Sequence, residues 1–362
     1  MKFGEQRFIF LSIQQKLYNQ SESTAVFAMP EDRFKSIHHI HHGLGCLLSW
    51  NKEHKPLIYI DSGSEVTFDN FEAGFKNITR ETTDADLAKL DIQGLQDIEK
   101  LMGPIYVNGP VYINGAEPGD TLKVEILDLQ TADWGWTCII PGLGAFKDEF
   151  KEAHIKTYDL VPGQDYAVFK KGIHIPRQPF YGTIGVASAE EGDFPPILPR
   201  NDIGGNIDCR YVGQGSTLFL PVNVPGALFA VGDGHFAQGD GEICGTAIET
   251  MMRSRIRLTV LKGKPPLKSP HYETAVQKVV EMNSVAGKGE HGVVATAEDQ
   301  QSAAKLVLEG LMDWLVEEKG LTRVEAYMLI SVAGNLKIMH EVGISIHTVS
   351  ASIPLGIFVE EY

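Results

Sequence analysis

The stretch Gly232-Asp-Gly-His-Phe-Ala-Gln-Gly-Asp-Gly-Glu242 carries the most information about how this chain folds and what it binds. Four of its eleven residues are glycines, which permit tight turns because they lack a Cβ. Between the glycines stand three carboxylates, one imidazole and one amide. A hydrophobic core rarely tolerates so many polar groups unless they are paired. We therefore predict a loop that holds a cation or a developing charge.

The sequence on either side of this loop is apolar and typical of β-strands. Residues 216–224 precede it and residues 243–248 follow it, so the predicted order is strand, acidic loop, strand. Pro221 cannot donate a backbone hydrogen bond, and it therefore predicts an edge position or a bulge in the first strand. A solvated hairpin connection is the alternative interpretation, but it does not explain His235 or Gln238.

Size and charge limit the classes of protein to which the chain can belong. Its 362 residues, 43% of them hydrophobic, suffice for a large core in one or two domains. A formal net charge of -15 argues against binding to nucleic acid and favours a neutral or cationic small-molecule substrate. No stretch approaches the ~18 apolar residues of a membrane span, and the apolar run at residues 8–13 is too short for a signal sequence.

The cysteines indicate a reducing compartment. There are four of them, with no CxxC pair and no dense framework, so we expect free thiols. With no signal sequence expected, this predicts a cytoplasmic protein that does not bind a membrane. The four cysteines are Cys46, Cys138, Cys209 and Cys244.

The apolar pattern predicts a β-rich body from residue 56 to about residue 262. Strands are expected where apolar and polar residues alternate, at residues 57–60, 65–68, 122–126 and 253–260.

Three further patterns belong to this first part of the chain. The repeat of Pro-x-Tyr-x-Asn-Gly at residues 104–109 and 110–115 predicts a meander with two Asn-Gly turns. Residues 81–101 have helical spacing, although Gly94 weakens it. The histidines within residues 38–42 suggest a metal site, but neighbours on a strand point to opposite faces, so a partly exposed polar turn is favoured.

The last seventy or so residues change from β to helical period. Thr296 can cap a helix that ends at Gly320, and Thr322 with Glu325 forms a capping box for a second helix. Residues 349–358 return to β. Helices that cover a sheet predict a mainly β, α+β fold. The apolar face of the first helix is formed by Ala303, Val307, Leu311, Trp314 and Leu315.

With these motifs in view, the chain resembles the acetamidase/formamidase family over roughly residues 56–358. The resemblance depends on several motifs in order, and no single glycine motif would be specific enough. The motifs lie at residues 109–122, 134–137, 182–186, 204–208, 232–249 and 326–338.

The resemblance implies a fold, an activity and a cofactor. The expected fold is a two-sheet β-sandwich with a C-terminal α/β portion, in a homo-oligomer. We therefore divide the chain into an N-terminal extension with first strands (1–55), a sandwich core (56–265) and the C-terminal portion (266–362). The implied activity is hydrolysis of short amides such as formamide and acetamide to carboxylate and ammonia. A divalent metal, zinc or calcium, is implied within the fold.

Two departures from the family pattern concern the metal. The family usually has a histidine before Gly-Gly-Asn, where this chain has Ile203, and often a histidine three residues before Trp50, where this chain has Leu47. Asp202 precedes Ile203 and is the nearest replacement. The loss of two imidazoles bears on metal preference, substrate choice and turnover.

The candidate site residues have distinct predicted roles. His235, Asp208 and Asp240 are the predicted metal ligands, and Glu242 is the predicted general base and acid. Asp233 is assigned to the catalytic group, with metal binding as its alternative role. Asn206 and Gln238 are predicted to orient the amide or the oxyanion. Glu249 either pairs with a nearby arginine or joins the catalytic group.

Two other functions remain open at this point. Cys209 or Cys244 would serve as the nucleophile of a cysteine amidase, although an acidic loop does not favour a thiolate. A non-catalytic β-sandwich would hold calcium through Asp233, Asp240 and Glu242 and bind a small ligand.

Overall fold

The structure is a computed structural model that describes residues 34, 38–41, 45–73, 78–89, 105–274, 288–340 and 346–359. Within these residues the chain forms nineteen strands and three α-helices. In chain order they are β1 (His38–Ile40), β2 (Cys46–Leu47), β3 (Ile58–Asp61), β4 (Ser64–Asn70), α1 (Asp84–Leu87), β5 (Val107–Asn114), β6 (Thr121–Thr131), β7 (Trp134–Ile139), β8 (His154–Asp159), β9 (Tyr166–Lys170), β10 (Ile173–Pro176), β11 (Phe180–Gly185), β12 (Gly204–Asn206), β13 (Thr217–Pro221), β14 (Phe229–His235), β15 (Met252–Leu261), β16 (His271–Glu273), β17 (Glu290–Ala297), α2 (Gln300–Lys319), α3 (Arg323–Ala333), β18 (Asn335–His340) and β19 (His347–Pro354).

Two six-stranded sheets form the body of the molecule. The first has the order β1-β4-β15-β6-β13-β16, and the second has the order β12-β11-β14-β5-β2 with β3 added beside β5. In β15 the residues Ser254, Ile256 and Leu258 are buried while the alternating arginines are not. This alternation is the one predicted for residues 253–260. The mainly β, α+β prediction is confirmed.

The inner faces of the two sheets enclose a hydrophobic core. Side chains from β4, β6, β13 and β15 of the first sheet meet side chains from β5, β11 and β14 of the second. Such burial is the main favourable term in folding. The largest of these residues include Phe68, Ile126, Leu220, Tyr181, Phe229 and Met252.

The prediction of a loop from residue 232 is wrong for its first four residues. Gly232–His235 belong to β14, all seven residues of which are buried. Gly232 and Gly234 serve close packing in this strand, since a Cβ at either would lie within 2.6 Å of a neighbouring atom. The strand predicted at residues 243–248 is also absent, because that segment consists of turns and irregular backbone.

The predicted meander at the Pro-x-Tyr-x-Asn-Gly repeat is wrong at its first turn. Asn108 and Gly109 lie inside the continuous strand β5, and only the second Asn-Gly ends the strand, at Gly115. A Cβ at Gly109 would lie 2.7 Å from the Phe229 carbonyl oxygen and from the Ala230 Cβ. The glycine therefore permits close approach of β14 and is not a turn residue.

The C-terminal helices cover a three-stranded sheet of order β17-β19-β18. Gly320 ends α2 in the left-handed conformation, and Thr322 and Glu325 form the predicted capping box. The predicted N-cap Thr296 is wrong, because Asp299 caps α2 by accepting from the Ser302 backbone N–H. Thr296 lies in β17, where it pairs with Thr348 of β19.

A second hydrophobic core joins the C-terminal helices to the body. It contains residues from β7–β10, from the segment 236–248, and from α2, α3 and β19. It therefore draws on both sides of residue 265. The three-part division made from the sequence remains a prediction.

Other expectations have mixed outcomes. Pro221 lies at the last pair of β13 with β6, beyond the part of β13 that β16 covers. The four cysteines are free. Residues 38–40 form the strand β1, whereas the sequence favours a partly exposed polar turn there. The predicted helix at 81–101 is seen only as α1, since residues 90–104 lie outside the described residues, as do residues 8–13. The described helices include none that is long and apolar enough to cross a bilayer.

Candidate active site

The last residues of β14 place two site residues on the same side of the strand. Asp233 and His235 are two positions apart, which in a strand directs both side chains to one face. Both are buried, and His235 Nε2 lies 3.3 Å from Asp233 Oδ1. The Phe180 ring meets the imidazole edge to face at 5.0 Å, which limits the orientation of the ring.

Asp208 reaches the same place from the turn after β12. Its backbone N–H donates to the Gly182 carbonyl in the neighbouring strand β11 (3.1 Å), and its Oδ2 accepts from the Asn206 side chain (2.8 Å). The Thr183 hydroxyl links the two sides, since it lies 2.5 Å from Asn206 Oδ1 and 3.2 Å from Asp233 Oδ2. Two of the predicted ligands, Asp208 from the turn after β12 and His235 from β14, therefore lie in the same cluster.

Two glutamates complete the cluster from the following segment. A β-bridge pairs Glu249 with His235, and Glu249 Oε2 lies 3.1 Å from His235 Nε2. The second oxygen of Glu249 accepts from the Ala247 backbone N–H (2.9 Å). Glu249 thus pairs with the imidazole and not with an arginine. A ligand atom of Glu242 lies within 4.8 Å of those of His235 and Glu249.

These side chains form two groups that could hold a metal ion. Asp208, Asp233 and His235 are one group, and His235, Glu242 and Glu249 are the other, with ligand atoms within 4.8 Å of one another in each. The surroundings fit a bound ion. Asp208 Oδ1 is buried without a hydrogen-bond partner among the described residues.

Gly182 forms the floor of this cluster. A Cβ there would lie 2.6 Å from both Asp208 Oδ1 and Asp233 Oδ2, and 2.7 Å from His235 Cε1. Only glycine therefore leaves the space between the carboxylates open. A space lined by carboxylate oxygens and one imidazole suits a divalent cation.

Burial strongly influences the ionisable groups of the cluster. It raises the pKa of Asp208 to about 7, opposed by the charge of His235 and reinforced by Asp233 and Glu249. Burial and then the charge of Asp208 raise the pKa of Glu242 well above its ordinary value. Burial alone would lower the pKa of His235, but the carboxylates of Glu249 and Asp233 raise it well above its ordinary value. The cluster thus has an excess of acids that a cation would offset.

The backbone at three of the acids is strained. Asp208, Asp233 and Glu242 have φ values of 46°, 61° and 41°. Such left-handed conformations are costly for residues with a Cβ and concentrate at functional sites. The three acids at these strained positions all belong to the two ligand groups.

Two predicted site residues, Gln238 and Asp240, are not among the candidate metal ligands. Gln238 Oε1 lies 2.9 Å from His235 Nδ1, and its amide donates to the Asp208 carbonyl, so Gln238 orients the imidazole. Asp240 accepts a hydrogen bond from the Tyr211 hydroxyl (2.7 Å) and belongs to neither ligand group. Of the set Asp233, Asp240 and Glu242 proposed for calcium, the structure therefore leaves Asp240 apart.

The two departures from the family pattern lie together. Leu47 and Ile203 pack around Trp50 in a small apolar cluster with Val107 and Ala230. Asp202 does not replace the histidine there, because its carboxylate is held by Arg200 and Ser188. Both histidine positions are thus occupied by hydrophobic packing, outside the two ligand groups.

The cysteines do not support a nucleophilic role. Burial raises the pKa of both Cys209 and Cys244, which disfavours the thiolate. Sequence reasoning missed Gly182 and Thr183 as site residues and left Glu249 undecided. The Gly-Thr pair directly after the apolar Phe180 and Tyr181 was the available signal, since a glycine in a buried strand indicates close approach.

The fold and the cluster agree with one family of known proteins. The model of the Acetamidase/Formamidase family matches residues 45–192 and 195–360. The matched region includes every residue of the cluster. The chain belongs to the Acetamidase/Formamidase family.

Individual relatives share the same class of activity. A formamidase of Methylophilus methylotrophus is 29% identical over 241 residues, which cover 49% of this chain and 56% of that protein. An acetamidase of Mycolicibacterium smegmatis is 29% identical over 280 residues, covering 59% and 65%. The matches thus span somewhat less than two thirds of these two relatives.

The crystal structure of an acetamidase from Bacillus halodurans is 28% identical, covers 88% of this chain and 98% of that chain, and has a TM-score of 0.58. The chain is an amidohydrolase that acts on linear C–N bonds.

Proposed function

We propose that this protein hydrolyses short-chain amides of the formamide and acetamide type with the help of a divalent metal. The observation that carries the proposal is the meeting of Asp208, Asp233 and His235 over Gly182, with His235 also grouped with two glutamates, Glu242 and Glu249. The names of the formamidase and acetamidase relatives support the substrate class.

Zinc is the metal that we propose for this site. His235 belongs to both ligand groups, and imidazole suits zinc better than calcium, which prefers oxygen ligands alone. Asp208 and Asp233 would hold the ion with His235. When bound, it would supply an activated water and polarise the carbonyl group. Gln238 supports this use, because a partner on Nδ1 leaves Nε2 available for the ion.

Amide hydrolysis also requires a group that moves a proton. Water is a weak nucleophile and the amine is a poor leaving group, so a proton must leave the water and reach the nitrogen. We assign this transfer to Glu242, because its carboxylate lies within 4.8 Å of the ligand atoms of His235 and Glu249. Glu249, whose Oε2 lies 3.1 Å from the same Nε2, is a further candidate ligand. Asn206 orients Asp208.

Replacement of Glu242 tests the assignment. Glu242→Gln removes the proton acceptor at constant size, and we expect a loss of about 100-fold or more in kcat, a typical share for general acid-base catalysis. The measurement is ammonia release from formamide and acetamide.

Asp240→Asn is the matched control for this variant. Asp240 lies in the same segment but outside the ligand groups, so we expect it to keep most activity. Full activity in a folded Glu242→Gln variant would remove Glu242 from the mechanism. Equal loss in Asp240→Asn would return Asp240 to the ligand set.

We further propose that the chain forms a homo-oligomer and functions in the cytoplasm. The family resemblance supports the first proposal, and the four free cysteines support the second. Light scattering of the purified protein tests the assembly, and a single-chain mass would contradict it.

A further inference from the structure

Thr183 lies between the two strands that lead to the candidate ligands. In β11 it pairs with Asn206 of β12 on one side and with Gly232 of β14 on the other. The residue is fully buried. Its hydroxyl oxygen lies 2.5 Å from Asn206 Oδ1 and 3.2 Å from Asp233 Oδ2. One hydroxyl group thus contacts a side chain from each neighbouring strand.

The Thr183 hydroxyl cannot satisfy both of these acceptors at once. A hydroxyl has a single proton, which it donates to one partner at a time. The shorter of the two contacts identifies Asn206 Oδ1 as the acceptor. The lone pairs of Asp233 Oδ2 are therefore left available to a cation.

The bond from Thr183 fixes the orientation of the Asn206 amide. Asn206 Nδ2 donates to Asp208 Oδ2 at 2.8 Å, while its Oδ1 faces the Thr183 hydroxyl. A rotated amide would place its oxygen against the Asp208 carboxylate, and both of these oxygens are acceptors. The hydrogen bonds thus determine which end of the amide points to Asp208. Thr183 therefore acts on Asp208 through Asn206.

This chain of hydrogen bonds leaves one oxygen of each aspartate free for an ion. Asp208 Oδ2 accepts from Asn206, whereas Asp208 Oδ1 has no hydrogen-bond partner among the described residues. A Cβ on Gly182 would lie 2.6 Å from both Asp208 Oδ1 and Asp233 Oδ2, so these two oxygens border the same space. Each carboxylate therefore presents one oxygen to the candidate metal site.

We propose that Thr183 is a positioning residue of the metal site. Its hydroxyl holds the Asn206 amide towards Asp208, so that Asp208 Oδ1 and Asp233 Oδ2 face the ion together. The inference rests on the proposed function, since it takes the cluster to bind a divalent metal. It adds a residue that belongs to neither ligand group.

Zinc affinity tests this role in the whole protein. The measurement is competition for zinc with a chelator of known affinity. Thr183→Val removes the hydroxyl and keeps the β-branched shape, and we expect the zinc dissociation constant to rise about 10- to 100-fold, as for other groups that orient metal ligands. Thr183→Ser keeps the hydroxyl and should restore most of the affinity. Failure of the serine variant to restore it would overturn the role of the hydroxyl.

Thr67→Val is the matched control for the loss of a buried hydroxyl. Thr67 is a buried residue of β4 in the other sheet, and its hydroxyl donates to the Phe34 carbonyl at 2.8 Å. We expect this variant to lose stability and to keep the zinc affinity of the wild type. Equal loss of zinc affinity in the two valine variants would show a general effect of lost hydrogen bonds and overturn the proposal.

A double variant tests whether Thr183 acts through Asn206. Residues that act as one unit have non-additive effects. Thr183→Val combined with Asn206→Leu should therefore bind zinc about as weakly as Asn206→Leu alone. Losses that multiply in the double variant would contradict the path through the amide.

The failures of the two proposals are distinguishable. Unchanged zinc affinity in a folded Thr183→Val variant would overturn the role of Thr183 and leave the proposed function intact. Absence of zinc binding and of ammonia release in the wild type would overturn the proposed function.

The role of Thr183 can be decided without any metal. NMR spectra of the metal-free protein, labelled with ¹⁵N-asparagine, report the Asn206 side-chain amide, whose signals are assigned by their loss in Asn206→Leu. We expect these signals to shift in Thr183→Val and to stay in place in Thr183→Ser. Signals that remain unchanged in Thr183→Val would overturn the proposal.

Discussion

At the residue scale, the cluster depends on one missing side chain. Gly182 lies opposite the oxygens of Asp208 and Asp233 at distances that no Cβ can occupy. The acids themselves have strained backbone, so the space is defined by conformation as much as by residue type. A small change at this position should therefore have a large effect on function.

Gly182→Ala is the corresponding prediction. The new Cβ would displace the carboxylates by several tenths of an ångström or more, and a displacement of about 1 Å at a catalytic site can cost ~100-fold in rate. We expect amidase activity and metal content to fall together. Gly292→Ala in β17 is the control, since its Cβ would meet the Ser352 Cβ at 3.3 Å in the C-terminal sheet, away from the cluster. Equal loss of metal content in both variants would contradict the role of Gly182.

The sequence was sufficient for some site residues and insufficient for others. The sequence signal is local for Asp208, Asp233 and His235, because each lies in a short stretch that contains glycines. The role of Glu249 could not, because its bridge to His235 depends on how the segment after Gln238 returns to β14. The position of Asp240 outside the ligand groups likewise depends on its hydrogen bond from the Tyr211 hydroxyl, which is distant along the chain.

At the element scale, Asp69 connects three strands of the first sheet. It lies in β4, accepts from Arg253 of β15 at 2.7 and 3.0 Å, and lies 3.1 Å from His39 of β1. Burial alone would raise its pKa, but the hydrogen bonds from His39 and Arg253 lower it to about 2. The folded state therefore favours the charged carboxylate.

This shift predicts a pH dependence of stability. Because the folded pKa is below the unfolded value of 3.8, the stabilisation is fully present above that value and is lost as the pH falls towards 2. The difference corresponds to about 2 kcal/mol. Urea unfolding from pH 6 to pH 2 should show this loss in the wild type and not in Asp69→Asn. Parallel curves for the two proteins would contradict the linkage.

The start of α2 gives a second prediction at this scale. Asp299 accepts from the Ser302 N–H at 2.8 Å, and Asp299→Ala should lower the free energy of unfolding by about 1 kcal/mol. Thr296→Ala, at the exposed position in β17, should cost clearly less. A larger loss for Thr296→Ala, measured by urea unfolding, would favour the helix start expected from the sequence.

Element types were easier to predict than element ends. The alternation in β15 and the capping box of α3 are local signals, and both correspond to the structure. The glycines of β14 and β5 were interpreted as turns because the chain that packs against them is remote in sequence. Tertiary packing decided these positions, and local propensity did not.

At the scale of the whole molecule, the site joins parts of the chain that are distant in sequence. Its acids come from residues 208 to 249, and the segment that carries Glu242 is bound to α3 and to Gly334. Anything that binds only the folded cluster should therefore stabilise the entire fold.

Metal removal gives the corresponding prediction. A ligand present at about 100 times its dissociation constant stabilises a protein by ~2.7 kcal/mol, so a chelator should lower Tm by several degrees. Added zinc should restore both Tm and ammonia release. Asp208→Asn, which loses a ligand, should show little response to the chelator. An unchanged Tm in the wild type, with activity retained after chelation, would contradict a metal at this cluster.

The bonds from the Glu242 segment to α3 also have a consequence for biosynthesis. The Gly239 N–H donates to the Ser331 carbonyl, and the Asp240 N–H donates to the Gly334 carbonyl. Residues that hold the acidic segment are therefore translated about ninety positions after it. A nascent polypeptide on the ribosome cannot form these two bonds until α3 and Gly334 have left the exit tunnel, so the acidic segment gains this support only after that later stretch has been synthesised.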